Sequence, residues 1–267
     1  MKTGALLFAY NTDDTDYLKI AEFSAKNIKR WLNIPTAVVT DVEYESPAFD
    51  KIITNPNTKS SKRYFDDRNS VVEWRNSGRC CAYDLSPYDQ TLLLDVDYIV
   101  ASSQLQTVLD TSYEFICPDS AIEVSGTKGD NPTFGKFHMK MFWATVIMFR
   151  KTKQSQIIFE LIKMIENNFG HYANLYGFPE TPYRNDYALS IALSIVSGHL
   201  ETKNHAMPWP IINVHPEHDV KKIDTDCFEV TYQKTTKSRK KLMRNKIQNQ
   251  DIHVMGKSSL ERIIETN

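Results

Sequence analysis

TLLLDVDYIV, residues 91 to 100, runs three leucines into two aspartates one residue apart before turning apolar again. Leu92, Leu93 and Leu94 form a continuous apolar run, the pattern of a strand covered on both faces in a mainly parallel sheet. Read as extended chain, the segment alternates its side chains, so Asp95 and Asp97 project to one side and Val96 to the other. In open α/β sheets ligands bind outside the carboxyl ends of the strands, where these two acids stand. Carboxylates this close raise one another's pKa unless a cation holds them. A hard divalent ion, Mg²⁺ or Mn²⁺, takes one or two carboxylates and completes its shell with water and substrate phosphates. A surface turn with two solvated acids is the alternative reading, because Asp-x-Asp alone is a common triplet.

Outward from this strand, apolar runs of similar length recur at ALLFAY (5 to 10), TAVVT (36 to 40), KIIT (51 to 54), EFIC (114 to 117), TVIMF (145 to 149) and IINV (211 to 214). Helical periodicity fills the gaps. In 16–32, Ile20, Phe23, Ile28, Trp31 and Leu32 share a side behind a cap at Asp14 or Thr15. Ser70 and Glu73 have capping-box spacing, which predicts a helix running towards Leu85. Two more helices are predicted over 155–169, ending at Gly170, and 185–197, ending at Gly198. The alternation predicts an α/β class, a Rossmann-like, mixed but mainly parallel sheet flanked by helices on both faces, in one domain over 1–267. Polar stretches at 55–63 and 119–137 interrupt the rhythm as long loops.

The chain has a formal net charge of −1, which excludes a wholly basic nucleic-acid coat. Charge is uneven, however: KTTKSRKKLMRNK, 234 to 246, holds seven basic residues and no acidic one. No apolar run approaches the length of a membrane span, and the first residues polarise too soon for a signal peptide, so no membrane contact and a cytoplasmic location are expected. Cys80, Cys81, Cys117 and Cys227 lack Cys-x-x-Cys spacing and are expected as free thiols. HPEH, 215 to 218, is a weak zinc signal, since Pro216 excludes a regular helix interior and no second ligand pair is evident. Gly-rich phosphate loops and a Gly-x-Ser-x-Gly elbow are absent from the sequence, against dinucleotide oxidoreductases, P-loop enzymes and α/β-hydrolases.

GRCCAYDLSPYDQTLLLDVDYIV, 78 to 100, resembles the metal-binding segment of GT-A glycosyltransferases, above all the family 8 type. IHVMGKSSL, 252 to 260, resembles that family's C-terminal His-x-x-Gly-x-x-Lys signature in contracted form, with Lys257 directly after Gly256. The resemblance implies a GT-A-like fold with Asp95, Asp97 and His253 as ligands of Mn²⁺ or Mg²⁺. Gly256 would admit backbone close to a diphosphate, and Lys257 and Arg79 would neutralise its charge, with Arg75 one turn earlier as the alternative to Arg79. The N-terminal ALLFAYNTDDTDYLKIAEF resembles the family's first strand and helix, which implies that Tyr10 and Asn11, joined by Thr40 and Asp41, meet the nucleotide; Asn11 and Asp13 fit helix-approach turn chemistry equally well. YRNDYALSIAL, 183 to 193, resembles a segment whose amide and acid, here Asn185 and Asp186, face the donor sugar, although both also suit N-capping. FWATVIMF departs from the family's Asn-Ser-Gly-Val stretch and lacks its sugar-facing amide at Trp143, Ala144 and Thr145.

The implied activity moves a sugar from a UDP-sugar donor to a hydroxyl acceptor. Compactness and tail also resemble small glycosyltransferases of tailed phages, some of which decorate hydroxymethylated pyrimidines in viral DNA with glucose or arabinose. A hydroxymethylated base in phage DNA is therefore the acceptor expected, tracked by the basic segment 234–246. Aromatic residues including Phe134, Phe137, Phe142 and Tyr176 would offer a wall for a flipped base, or equally for a sugar. The basic segment and the tail 251–260 are expected to pack at the active-site mouth. Other readings stay open: a glycan or protein glycosyltransferase, a sugar nucleotidyltransferase, a non-catalytic binding module, and a basic run that is only a solvated face.

Overall fold

The computed structural model describes residues 1–56, 61–65, 70–74, 76–126, 133–178, 183–200, 206–236 and 239–266. Six strands form the main sheet in the order Lys51–Thr54, Thr36–Thr40, Thr3–Phe8, Gln90–Leu94, Val146–Arg150 and Phe115–Ile116. The first four run parallel; Val146–Arg150 is antiparallel to Gln90–Leu94 and to Phe115–Ile116. Gln90–Leu94 thus lies inside the sheet, and its apolar run serves both faces. Leu92 and Leu94 pack with Ala5, Leu7, Val146 and Met148 on one side, while Leu93 packs with Leu6, Phe8, Ile147 and Phe149 on the other. The helix Tyr17–Leu32 covers the first face, and the helices Lys153–Asn167 and Asn185–Val196 the second. The α/β class with a mixed, parallel-rich sheet is therefore observed.

A second sheet has the order Tyr98–Ile99, Ile252–Val254, Ile211–Val214 and Ala121–Glu123. It carries the chain away from the two aspartates and brings the C-terminal segment back beside them. A third, three-stranded meander joins Asp219–Asp224, Cys227–Thr236 and Arg239–Gln248. Its Phe228, Val230, Tyr232 and Ile247 enter the same apolar cluster as Leu94 and Val254.

Several local expectations are corrected. Ser70–Trp74 is a strand paired with Ser61–Phe65, not a capped helix. Two adjacent valines favour extended chain there, and the helical segment begins only with a 3₁₀ stretch at Asn76–Cys81 and a short α-helix at Ala82–Leu85. Arg75 lies outside the described residues, as do 57–60 and 127–132 of the two long loops. The first helix is capped by Asp16, whose carboxylate accepts from Lys19 N at 3.0 Å, rather than by Asp14 or Thr15. The helix expected over 155–169 starts earlier, behind the Thr152 cap, and Gly170 falls inside the next helix, Phe169–Tyr176. The described residues of the basic segment belong to the paired strands Cys227–Thr236 and Arg239–Gln248. No helix among the described residues is long and apolar enough to cross a membrane.

Candidate metal and donor site

The strand Gln90–Leu94 ends one residue before Asp95, and the chain then turns instead of continuing extended: Tyr98 N donates to Asp95 O at 3.1 Å. The two carboxylates are therefore brought together by a turn, not by strand alternation, while Val96 is buried in the first apolar cluster. Asp95 N also donates to Thr145 O at 2.9 Å, and Val254 N to Asp97 O at 3.0 Å. Both sheets grip the same turn.

That second bond places His253. Its strand lies between Tyr98–Ile99 and Ile211–Val214, and ligand atoms of Asp95, Asp97 and His253 all lie within 4.8 Å of one another. His253 Nε2 is 3.4 Å from Asp97 Oδ1, while its Nδ1 lies 3.0 Å from Asn213 Oδ1. Asn213 accepts from Nδ1–H, so Nε2 is the nitrogen presented to the carboxylates, the arrangement that fixes a metal-binding tautomer. Two carboxylates and one directed imidazole nitrogen fit a divalent cation of the Mn²⁺ or Mg²⁺ kind.

Basic side chains close the site. Lys257, the first residue of the last helix, ion-pairs with Asp97 Oδ2, and its ammonium lies 5.9 Å from the centre of the Tyr17 ring. Arg79, on the 3₁₀ stretch, ion-pairs with Asp95 Oδ1 and donates through Nη2 to Ala144 O at 2.8 Å. Burial works upward on the Asp97 carboxyl, but Lys257 and His253 outweigh it and hold that group well below the usual carboxylate range. Burial dominates at Asp95 and pushes it up, with Arg79 pulling down and Asp97 pushing further up. Burial also opposes the charged forms of His253 and Lys257, yet the Asp97 charge raises both.

Asp186 reaches the same edge from the helix Asn185–Val196. Its Oδ1 accepts from Ala144 N at 2.8 Å and its Oδ2 from Arg184 Nη2 at 3.0 Å. It is not the N-cap, a position held by Arg184, whose side chain makes no capping bond to the helix backbone. Asn185 stands beside it, half-buried, at the first helical position. The Ala144 peptide thus links Arg79 and Asp186 through backbone at the very place where the sequence lacks an amide.

Tyr10 follows the first strand, buried against Phe8 and close to Gly78, and its hydroxyl has no hydrogen-bond partner among the described residues. Burial and the nearby Asp41 charge raise that hydroxyl's pKa. Asp41 is half-buried at the end of the second strand, next to fully buried Thr40. Asn11 Oδ1 accepts from Leu18 N at 2.9 Å, so this side chain organises the helix approach. Gly256 has no need of a left-handed backbone; a Cβ there would come 3.1 Å from Pro216 O, so its glycine serves close packing of the last helix on the 214–216 segment. The HPEH turn, 215 to 218, brings no three ligand atoms together among the described residues.

Asn213 and Arg184 are missing from the sequence reading. Asn213 was detectable as a lone amide within the apolar run IINV, where a buried polar side chain needs a partner. Arg184 carries no such signal.

No family model and no curated protein matches the chain. Among solved structures it is similar to the glycosyltransferase GlyE of Streptococcus pneumoniae TIGR4, at 13% identity over 72% of this chain and 43% of GlyE, with a TM-score of 0.44. It is likewise similar to the galactosyltransferase LgtC in complex with donor and acceptor sugar analogs, at 13% identity over 71% of this chain and 70% of LgtC, TM-score 0.45. Mouse xyloside xylosyltransferase 1 matches at 12% identity over 78% of this chain and 85% of its own, TM-score 0.44. The chain spans less than half the length of GlyE.

Proposed function

We propose that this chain is a metal-dependent glycosyltransferase using a nucleoside diphosphate sugar, a UDP-sugar in the finer reading, as donor. One observation carries the reading: Asp95, Asp97 and His253 converge at the carboxyl end of a central strand with Lys257 and Arg79 against them. Two acids, one imidazole and two fixed cations suit a ligand that arrives as diphosphate with a divalent ion. Mn²⁺ or Mg²⁺ held by Asp95, Asp97 and His253 would supply Lewis-acid stabilisation of charge on the departing diphosphate. Lys257 and Arg79 stand ready to share that charge by exchanging a carboxylate for phosphate oxygens.

Asp186 has both carboxylate oxygens engaged by Ala144 N–H and Arg184. A carboxylate so tied suits orientation of the sugar and stabilisation of positive charge at its anomeric carbon better than removal of a proton from an acceptor. This favours transfer with retention. The acceptor in the finer reading is a hydroxymethylated base in DNA. A cavity of about 660 Å³, with Phe137, Phe142, Tyr176 and His199 in its wall, offers room for an unstacked base; Phe142 and Ser190 tie its wall to Asp186.

The test is incubation of the protein with UDP-sugars, Mn²⁺ and hydroxymethylated duplex, with nucleotide products and sugar stereochemistry identified. UDP release with a retained anomeric configuration is expected. Pyrophosphate release would replace the reading by a nucleotidyltransferase, and an inverted product would remove the family 8 assignment. Asp97→Asn should lower turnover at least a hundredfold. Asparagine keeps the side chain's shape and an oxygen acceptor for Lys257, which is only 8% exposed, but not its counter-charge, so a stability loss of up to about 3–5 kcal/mol accompanies the lost turnover and is read separately by melting.

A further inference from the structure

The strands Cys227–Thr236 and Arg239–Gln248 pair without a break from Cys227↔Gln248 to Thr236↔Arg239. Strands of this length make a two-stranded ribbon roughly 30 Å long. Its root is anchored by buried Phe228, Val230, Tyr232 and Ile247, and by Asn245 Nδ2 donating to Val124 O at 2.8 Å. Towards the tip burial stops: Gln233, Lys234 and Arg239 to Leu242 are all exposed, Leu242 by 59%. Alternation places Lys240, Leu242, Arg244 and Lys246 on one face and Arg239, Lys241, Met243, Asn245 and Ile247 on the other, so that at the tip cations stand on both. On the basic face one acid, Glu229, sits across from Lys246 at the root; beyond it no acid occurs from 234 to 246. Taking the seven basic charges of that segment away from a chain of net charge −1 leaves −8 on the remainder. The ribbon is a basic arm on an acidic body.

We propose that this arm is the grip for double-stranded DNA, its exposed face entering the major groove while the tip cations Lys234, Arg239 and Lys241 meet phosphates. The major groove admits a two-stranded β-ribbon, and lysines and arginines on such a ribbon hold the flanking backbone and set register. A merely solvated face mixes both signs of charge; a row of one sign repels itself and is relieved by a polyanion. The inference rests on the nucleic-acid part of the proposed function and names the surface that carries it.

The experiment is fluorescence anisotropy of a short labelled duplex with the full chain, without metal or nucleotide. With about four phosphates neutralised, raising salt from about 50 to 200 mM should weaken binding roughly a hundredfold. The combined variant Arg239→Glu, Lys240→Glu and Lys241→Glu should lose at least tenfold in affinity with an unchanged melting temperature. If it melts lower, the milder pair Lys240→Gln and Lys241→Gln is read instead, with a severalfold loss expected. Duplex binding that is insensitive to these changes, tighter binding to single strands, or capture by phosphatidylserine vesicles without duplex binding would each overturn the proposal. Because neither donor nor metal is present, failure here leaves the transferase reading untouched, and a missing donor response beside intact DNA binding would remove that reading alone.

Discussion

Asp97 faces Lys257 through Oδ2 and His253 through Oδ1. A divalent ion placed there competes with the ammonium for the same carboxylate charge. Lys257→Met should therefore tighten Mn²⁺ binding severalfold in calorimetry without nucleotide, yet weaken UDP binding in its presence. A lysine that only supported the fold would weaken both together. Cys81 offers a separate residue-scale check. A hydrogen bond from Cys80, 3.7 Å away between sulfurs, lowers its pKa most; burial opposes that, and the Lys163 charge adds to the lowering, leaving it at about 7. Cys80 and Cys117 are buried with raised pKa values. Iodoacetamide should thus label Cys81 first, at a rate that climbs as pH rises through about 7 and the thiolate forms. Mass spectrometry that finds Cys117 or Cys227 labelled first would contradict this.

At the scale of elements, the Asp95–Tyr98 turn is held from both sides. Asp251 Oδ1 accepts from Ala101 N at 2.8 Å and Ser102 Oγ at 2.9 Å, fastening the His253 strand to the chain leaving the turn. Asp251→Ala leaves those donors buried without a partner and should cost about 2–4 kcal/mol in chemical denaturation. Gly4 lies beneath the Tyr88 ring, well inside the contact distance of any added Cβ. Gly4→Ala forces the ring or the first strand to move and should destabilise by about 1–3 kcal/mol, whereas Gly170→Ala, in open space within a helix, should not. The same elements show what is legible in sequence. Continuous apolar runs reveal the main-sheet strands to within a residue or two, because the inner strands are covered on both faces and most of their side chains are apolar; the edge strand Lys51–Thr54 is half exposed. Tyr98–Ile99 and Ile252–Val254 are too short to announce themselves, and their pairing depends on contacts across about half the chain. Ser70–Trp74 misleads because capping-box spacing occurs without a helix behind it.

Over the whole molecule, the candidate site is assembled from the middle and the end of the chain. Asp95 and Asp97 are legible as a candidate pair because they stand at the end of an apolar strand; His253 and Lys257 are legible only through their likeness to a family signature. Their meeting is a property of the second sheet, which periodicity does not disclose. The arm is visible as a run of charge, but its form as a ribbon is not, since alternating buried positions exist only near its root. Site and arm grow from adjacent elements: the arm's second strand ends at Gln248, and the strand that carries His253 starts at Ile252. The central claim is that Asp95, Asp97 and His253 hold a divalent ion that receives a nucleoside diphosphate. It is tested most directly by the melting temperature of the wild-type chain and of Asp97→Asn with UDP and Mn²⁺, together and apart. The account predicts a rise of several degrees for the wild type only when both are present, and little rise for Asp97→Asn. An unchanged wild-type melting temperature with both ligands, or an equal rise in the variant, would contradict it.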